Sequence, residues 1–329
     1  MSNSKFSIGY QLMDYDSIPD IVNDYREHIS EVYFAYPGDP SGRSPLVDTS
    51  IEDFWEDIHI LNEMGVGLTL LFNAACYGEK VVSKELIKEC RDKVKTFKAL
   101  KAITTTSPFI AKELKKEFPE LEIRASVNMR IGTIKAMEYL YDCFDGFYIQ
   151  RDNQRNLEYT KRISEWCRAN GKSIHMLANS GCLYNCSFQS FHDNAVAHEV
   201  GISKKDNVMS KYPSPCWELM ANEEKRHWVL QNTWIRPEDL HHYESYFDTI
   251  KLATRLHHNP RMVINSYVNH KHYGSLLDLM EPSFSSVFAP DIVDNLKFPE
   301  DWFEQTSTCL RNCDTCTYCK EVFDRLKTF

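Results

Sequence analysis

No uninterrupted apolar run of about eighteen residues occurs anywhere in this sequence, so a membrane-spanning helix is not expected. The opening residues Met1-Ser2-Asn3-Ser4-Lys5-Phe6 lack the charged start and long apolar segment of an export signal, and a cytoplasmic protein is the resulting expectation. Clustered positive charge is missing as well. The net charge is -9, which removes the broad basic footprint needed to grip a phosphate backbone. Lys112, Lys115 and Lys116 alternate with Glu113 and Glu117 and read as a solvated helix face. Only a local groove is left for nucleic acid. Absent too are an H-E-x-x-H helix and any Ser-His-Asp or Cys-His nucleophile pairing, so hydrolysis would have to rely on a metal acting as Lewis acid.

What the chain does have is cysteine, eleven residues in all. With 43% hydrophobic residues in 329, it can build one large α/β core without disulfide staples. Reducing compartments do not maintain structural disulfides, so the cysteines point to metal or redox chemistry. Cys90, Cys143 and Cys167 fall in helical patterns and read as small core residues. Cys182, Cys186 and Cys216 form one group, and Cys309, Cys313, Cys316 and Cys319 another.

Short apolar runs alternate with longer helical patterns along the chain, the mark of parallel βαβ units. They lie near residues 6–12, 31–36, 67–72, 102–106, 122–127, 146–149, 173–177 and 249–253. Eight such units predict an α/β fold, a closed (β/α)8 barrel of the TIM type. Ser50-Ile51-Glu52-Asp53 reads as a capping box, Ser107-Pro108 as a helix start, and 156–170 as a helix stopped by Gly171. The order breaks after strand seven, where a long cysteine-containing insertion at about 180–233 includes His192, His198 and a Pro213-Ser214-Pro215 turn. Long excursions of this kind are usually functional. The barrel domain is expected over 1–300, followed by a Cys-rich, metal-binding tail over 301–329.

In such barrels the chemistry sits at the carboxyl ends of the strands. Gln11, Asn73, Asn128, Arg130, Arg151, Asn179, Lys251 and Arg255 all fall there and are candidates to line one pocket. The competing reading for each is that it caps a helix or satisfies loop carbonyls. Arg151, Lys251 and Arg255 suit anionic substrate groups, arginine in particular offering a bidentate fork. His192 is the favoured acid or base, because imidazole titrates near neutrality, and His198 is placed with the substrate contacts.

Asn179-Ser180-Gly181-Cys182-Leu183-Tyr184-Asn185-Cys186 follows strand seven directly and would bring two thiolates to the barrel mouth, with Cys216 as a third. Soft thiolates select iron-sulfur clusters, zinc or copper(I). A mixed zinc site that adds His192 and His198 is the alternative. In the tail, four cysteines within eleven residues, Cys309 to Cys319, signal a metal that is either a cluster or zinc. The first three also match the C-x3-C-x2-C spacing of radical S-adenosylmethionine enzymes, although those place the motif near the start of the barrel. One 4Fe-4S cluster or two are both compatible with seven cysteines. Cys76 and the tail are both candidates for a fourth ligand at the barrel mouth.

These pieces, in this order, resemble the collagenase-like peptidase family U32. The resemblance rests on Glu31-Val32-Tyr33-Phe34, Ala125-Ser126-Val127-Asn128, Ile149-Gln150-Arg151, the stretch from His175 to Cys182, Pro215-Cys216-Trp217, Glu238-Asp239-Leu240, and Ile250 to Arg255. It spans about residues 5 to 270. The chain departs from the family pattern in the close spacing of Cys182 and Cys186, in Thr254 where glycine commonly precedes the last arginine, and in its dense cysteine tail. It reads as a divergent branch. The resemblance implies a barrel with a cysteine-bound 4Fe-4S cluster. It also implies one of two activities, proteolysis or oxygen-independent hydroxylation of RNA bases or quinone precursors. The expectation is an oxidoreductase acting on a small aromatic or modified-base substrate. A zinc-dependent hydrolase and a non-catalytic iron-sulfur subunit serving a partner or electron donor are the rivals.

Overall fold

The computed structural model describes residues 5–13, 15–42, 51–206 and 215–328, with no side chains described for 199–206. Eight parallel strands form the centre: β1 (Phe6–Gly9), β2 (Ile29–Ala35), β3 (Gly67–Phe72), β4 (Leu100–Thr105), β5 (Glu122–Ala125), β6 (Gly146–Tyr148), β7 (Ser173–Leu177) and β8 (Thr249–Leu252). They pair in chain order, and β8 closes the ring on β1. The expected barrel is the fold that forms. Several strands end one to three residues before their apolar pattern does, because polar side chains there turn the chain over the barrel mouth. At β5, for example, the Ser126 hydroxyl accepts from the Asn128 amide and starts a single-turn helix.

Six helices, α1 (Ile18–Asp24), α2 (Ile51–Glu63), α3 (Lys84–Thr96), α4 (Pro108–Glu117), α5 (Ile134–Tyr139) and α6 (Leu157–Ala169), follow strands one to six. Their starts obey local chemistry. Ser107 caps α4 by accepting from Ile110 at 3.2 Å, with Pro108 in the first turn, and Asn156 caps α6 by accepting from Tyr159 at 2.8 Å. The buried residues of α3, Leu86, Ile87, Cys90 and Val94, recur at helical spacing and face the barrel. Cys90 and Cys167 are core residues on helices, whereas Cys143 is buried in the turn after α5. Ser50, the expected cap of α2, and Pro213-Ser214 lie outside the described residues.

The lumen is charged. Arg124 on β5 forms a two-pronged ion pair with Glu31 on β2, both contacts at 2.8 Å. These strands are not neighbours in the ring, so the pair crosses the barrel interior, where Glu31 is 0% and Arg124 1% exposed. Glu122 and His175 extend this network. At the top, Gly9 is required by close approach: a Cβ there would stand 2.7 Å from the Arg255 backbone nitrogen.

The insertion after β7 contains α7 (Gln189–Asp206), α8 (Pro215–Ala221) and a 3-10 stretch, Glu223–Gln231. Beyond β8 come α9 (Pro260–Val268), α10 (Ser285–Phe288), β9 (Ile292–Val293), α11 (Trp302–Ser307), α12 (Tyr318–Leu326) and β10 (Lys327–Thr328). The tail folds back onto the body. β10 pairs with β9, and Trp302, Val322, Phe323 and Leu326 join the same apolar core as the barrel helices. Among the described residues no helix is long and apolar enough to cross a membrane.

Candidate functional site

The cavity at the carboxyl end of the barrel is lined by Tyr33, Asn73, Asn128, Arg151, Cys182, Cys186, His192, Cys216, Lys251 and Arg255, with Asp193, Gln189, Glu281 and Pro282 at its rim. All three insertion cysteines and all four residues expected to be catalytic therefore share one space. Asn73 and Asn128 are there too. The Asn73 carbonyl oxygen accepts from the Gly42 amide at 3.0 Å, and Gly42 leaves room for both asparagines, since a Cβ on it would collide with the Asn128 amide.

The other expected contacts are used differently. Gln11 donates to the carbonyls of Thr254 and His257, at 3.0 and 2.8 Å, and does not line the cavity. Asn179 is fully buried, donating to Ala253 and Leu279 and accepting from the Ala253 amide, so it clamps the β7 and β8 loops together. Both amides satisfy loop carbonyls, the alternative the sequence left open. Arg130 does not line the cavity itself but donates to Ser190 at 3.0 Å and to Asp193, a residue of the cavity wall, at 3.1 Å, latching α7 to the β5 turn. His198 is exposed beside a different cavity, one that also contains Cys76. Cys76 is thereby placed away from the barrel cysteines, as is the tail, none of whose thiols lines the cavity.

The Arg130 latch is partly solvated, so it is worth at most about 1 kcal/mol of global stability. Arg130→Ala is expected to leave the melting temperature almost unchanged and to speed limited proteolysis within α7.

Electrostatics separate the roles further. Arg151 is 6% exposed and donates to the Cys182 sulfur at 3.4 Å and the Ser180 hydroxyl at 3.3 Å. Burial pushes the Cys216 thiol up to about 11, and the charges of Cys182 and Cys186 add to the shift, so the three thiols act on one another. Among the described residues no three His, Cys, Asp or Glu side chains converge on a point where one metal ion could sit. His198, which the mixed Cys/His set would need, stands at the other cavity, while His192 shares this one with the three cysteines.

Lys251 is strongly perturbed by its place in the cavity. Its ammonium stands over the Tyr33 ring, 3.5 Å from the centroid, and burial with repulsion from Arg255 pushes its pKa down to about 7. Below that value the cavity has gained a cation, and above it the amine is neutral. Binding of sulfate, whose own charge is constant, is therefore expected to weaken as pH rises through about 7. Lys251→Met should remove that step in a calorimetric titration, and a pH-independent wild type would contradict the assignment.

Tyr33 had a signal in the sequence, since it lies two residues beyond the inward Glu31 on β2 and so shares its face. Glu281 and Pro282 had none. They reach the cavity because Glu281 bridges Ser180 across about a hundred residues of chain.

No family model matches the chain. Its sequence is 24% identical to a protein of Methanocaldococcus jannaschii named uncharacterized protease MJ1657, covering 95% of this chain and 96% of that one. Its fold is that of a solved structure, the U32 peptidase Mk0906, at a TM-score of 0.53 and 12% identity over 76% of this chain and 93% of that one. The resemblance to peptidase family U32 stands on these two likenesses, the first in sequence along the whole chain and the second in fold.

Proposed function

We propose that this chain, a divergent relative of the U32 peptidases, is an iron-sulfur enzyme that carries out a redox modification such as hydroxylation on a small anionic substrate. The observation that carries this reading is that Cys182, Cys186 and Cys216 share one cavity with Arg151, Lys251 and Arg255. The donor set suits the group: three thiols are grouped, one of them beside a guanidinium, and none is committed to a disulfide. When bound, a cluster with three thiolate ligands supplies an iron open to substrate.

The protein's own residues do the rest. Arg255, held by the Ser41 hydroxyl at 3.0 Å, and Lys251 bind the anionic group of the substrate, while Asn73 and Asn128 orient its polar edge. Tyr33, Leu71, Leu177 and Leu256 form the apolar wall that fits an aromatic body and limits water. His192, in the first turns of α7, is positioned to move a proton at the rim. A hydrolase reading has the name of the M. jannaschii relative, an uncharacterized protease, in its favour, and it requires a metal bound at the same wall.

Anaerobic purification followed by iron, zinc and acid-labile sulfide analysis tests the proposal. Roughly equal iron and sulfide supports it. Zinc without sulfide overturns it in favour of hydrolysis, and a cluster that supports turnover only after a second protein is added marks a subunit.

A further inference from the structure

The four tail thiols have surroundings of their own. Cys309, Cys313 and Cys316 lie in the loop between α11 and α12 and Cys319 in the first turn of α12, and from that loop Arg311 stacks over Tyr184 at 4.5 Å. We propose that Cys309, Cys313, Cys316 and Cys319 hold a second iron-sulfur cluster, whose negative charge is balanced by the guanidinium groups of Arg155 and Arg311.

Arg155 carries the argument. It is 3% exposed, and its guanidinium lies 4.0 Å from the centroid of Trp234 and 5.6 Å from that of Trp302. Its Nε donates to the Trp234 carbonyl at 2.8 Å and one terminal nitrogen to Leu230 at 2.7 Å. The other terminal nitrogen, Nη2, is buried with no hydrogen-bond partner among the described residues. A buried guanidinium normally has a carboxylate partner, because desolvating its charge is otherwise costly. The carboxylate that acts on Arg155, Asp239, is itself held by Arg236 at 3.0 Å. A guanidinium left in this state calls for an anion, and Trp302, 5.6 Å from it, stacks at 6.1 Å on Tyr318, the chain neighbour of Cys319. Arg311, in the tail loop, acts on Arg155 as a like charge.

Cys319 feels both Arg155 and Arg311, and Cys313 feels Arg311 together with Cys309 and Cys316. The Arg311 amide donates to the Cys309 sulfur at 3.3 Å, from a left-handed backbone conformation at φ 62°. Backbone amides and cations directed at sulfur are the contacts that support and tune cluster thiolates. Arg155 follows four residues after Arg151, the residue that touches Cys182, so the loop after β6 serves both cysteine groups.

The test is anaerobic reconstitution of the full chain with iron and sulfide, comparing wild type, Cys182→Ala and Cys313→Ala/Cys316→Ala by metal analysis and by electron paramagnetic resonance after reduction. Each variant should keep about half of the wild-type iron, and the two residual spectra should sum to that of the wild type. Arg311→Gln should keep both signals and lower the midpoint potential of the one missing from the tail variant, because a compensating cation is gone. Cys316→Ser, at the exposed position of the four, serves as the tail probe should the double variant fail to fold. Full retention of iron by the tail variants overturns the proposal, as does zinc in the tail in place of iron. Loss of iron confined to the tail variants, with Cys182→Ala unchanged, leaves this site intact and overturns the barrel cluster.

Discussion

Arg124→Met is expected to destabilise the protein by about 3–5 kcal/mol at neutral pH, the largest stability effect of any single substitution argued here. The variant strips Glu31, 0% exposed, of its two-pronged partner and leaves it only the longer ion-pair contact to Lys101 at 3.8 Å. In the native protein burial alone would raise the Glu31 carboxyl, and the charges of Arg124 and His175 reverse this and hold it below the ordinary carboxylate range. A depressed folded-state value means that the stabilisation is present above the unfolded pKa of about 4.3 and is lost as pH falls through the lower, folded one. In the variant the shift changes sign, and protonation of Glu31 relieves the strain. The gap between wild type and variant should therefore begin to narrow above the unfolded value of about 4.3, as pH falls through the raised value of the variant, and go on narrowing until the wild-type carboxyl is protonated too, as followed by urea denaturation. Glu31→Leu/Arg124→Met should recover most of the loss, since an apolar pair of similar volume replaces a buried ion pair at little cost. A single variant as stable as wild type at neutral pH would contradict this account of the lumen.

On the proposed function, Cys182→Ala is expected to abolish turnover and to remove the iron proposed for the barrel mouth while leaving the fold intact. Its thiol is only partly buried, so the truncation opens little cavity. Arg151→Met is the graded companion. Loss of a hydrogen-bond partner to a ligand typically costs about 10–100-fold in metal affinity, and here that partner is the guanidinium 3.4 Å from the Cys182 sulfur. The variant should therefore bind iron but lose it faster to a chelator, with the barrel signal shifted. Unchanged iron content and activity in Cys182→Ala would remove the cluster from this site.

The alternation of apolar strand patterns with helical ones was enough to place all eight strands, because parallel barrel strands are buried on both faces and read as apolar runs. Strand ends were less legible. Apolar residues such as Ile149 continue past β6, but the following Gln150 and Arg151 turn the chain into the mouth. The cysteine group was legible for a different reason: Cys182 and Cys186 follow β7 directly, and in this fold that position is the mouth. Gln11, Asn179 and Arg130 share that position in sequence yet serve the scaffold, because which carbonyl or carboxylate each meets depends on loops far away in the chain.

By itself, then, the sequence determined the ring of strands and the level at which its polar residues stand, since both follow from local periodicity and chain order. Only the tertiary structure decided which of those residues face the cavity, that Glu31 and Arg124 meet across the lumen, and that Arg155 is buried against Trp234 and Trp302 of the tail side. Those outcomes are contacts between segments far apart in the chain, where closure of the barrel and packing of the tail set the geometry and no local pattern carries it.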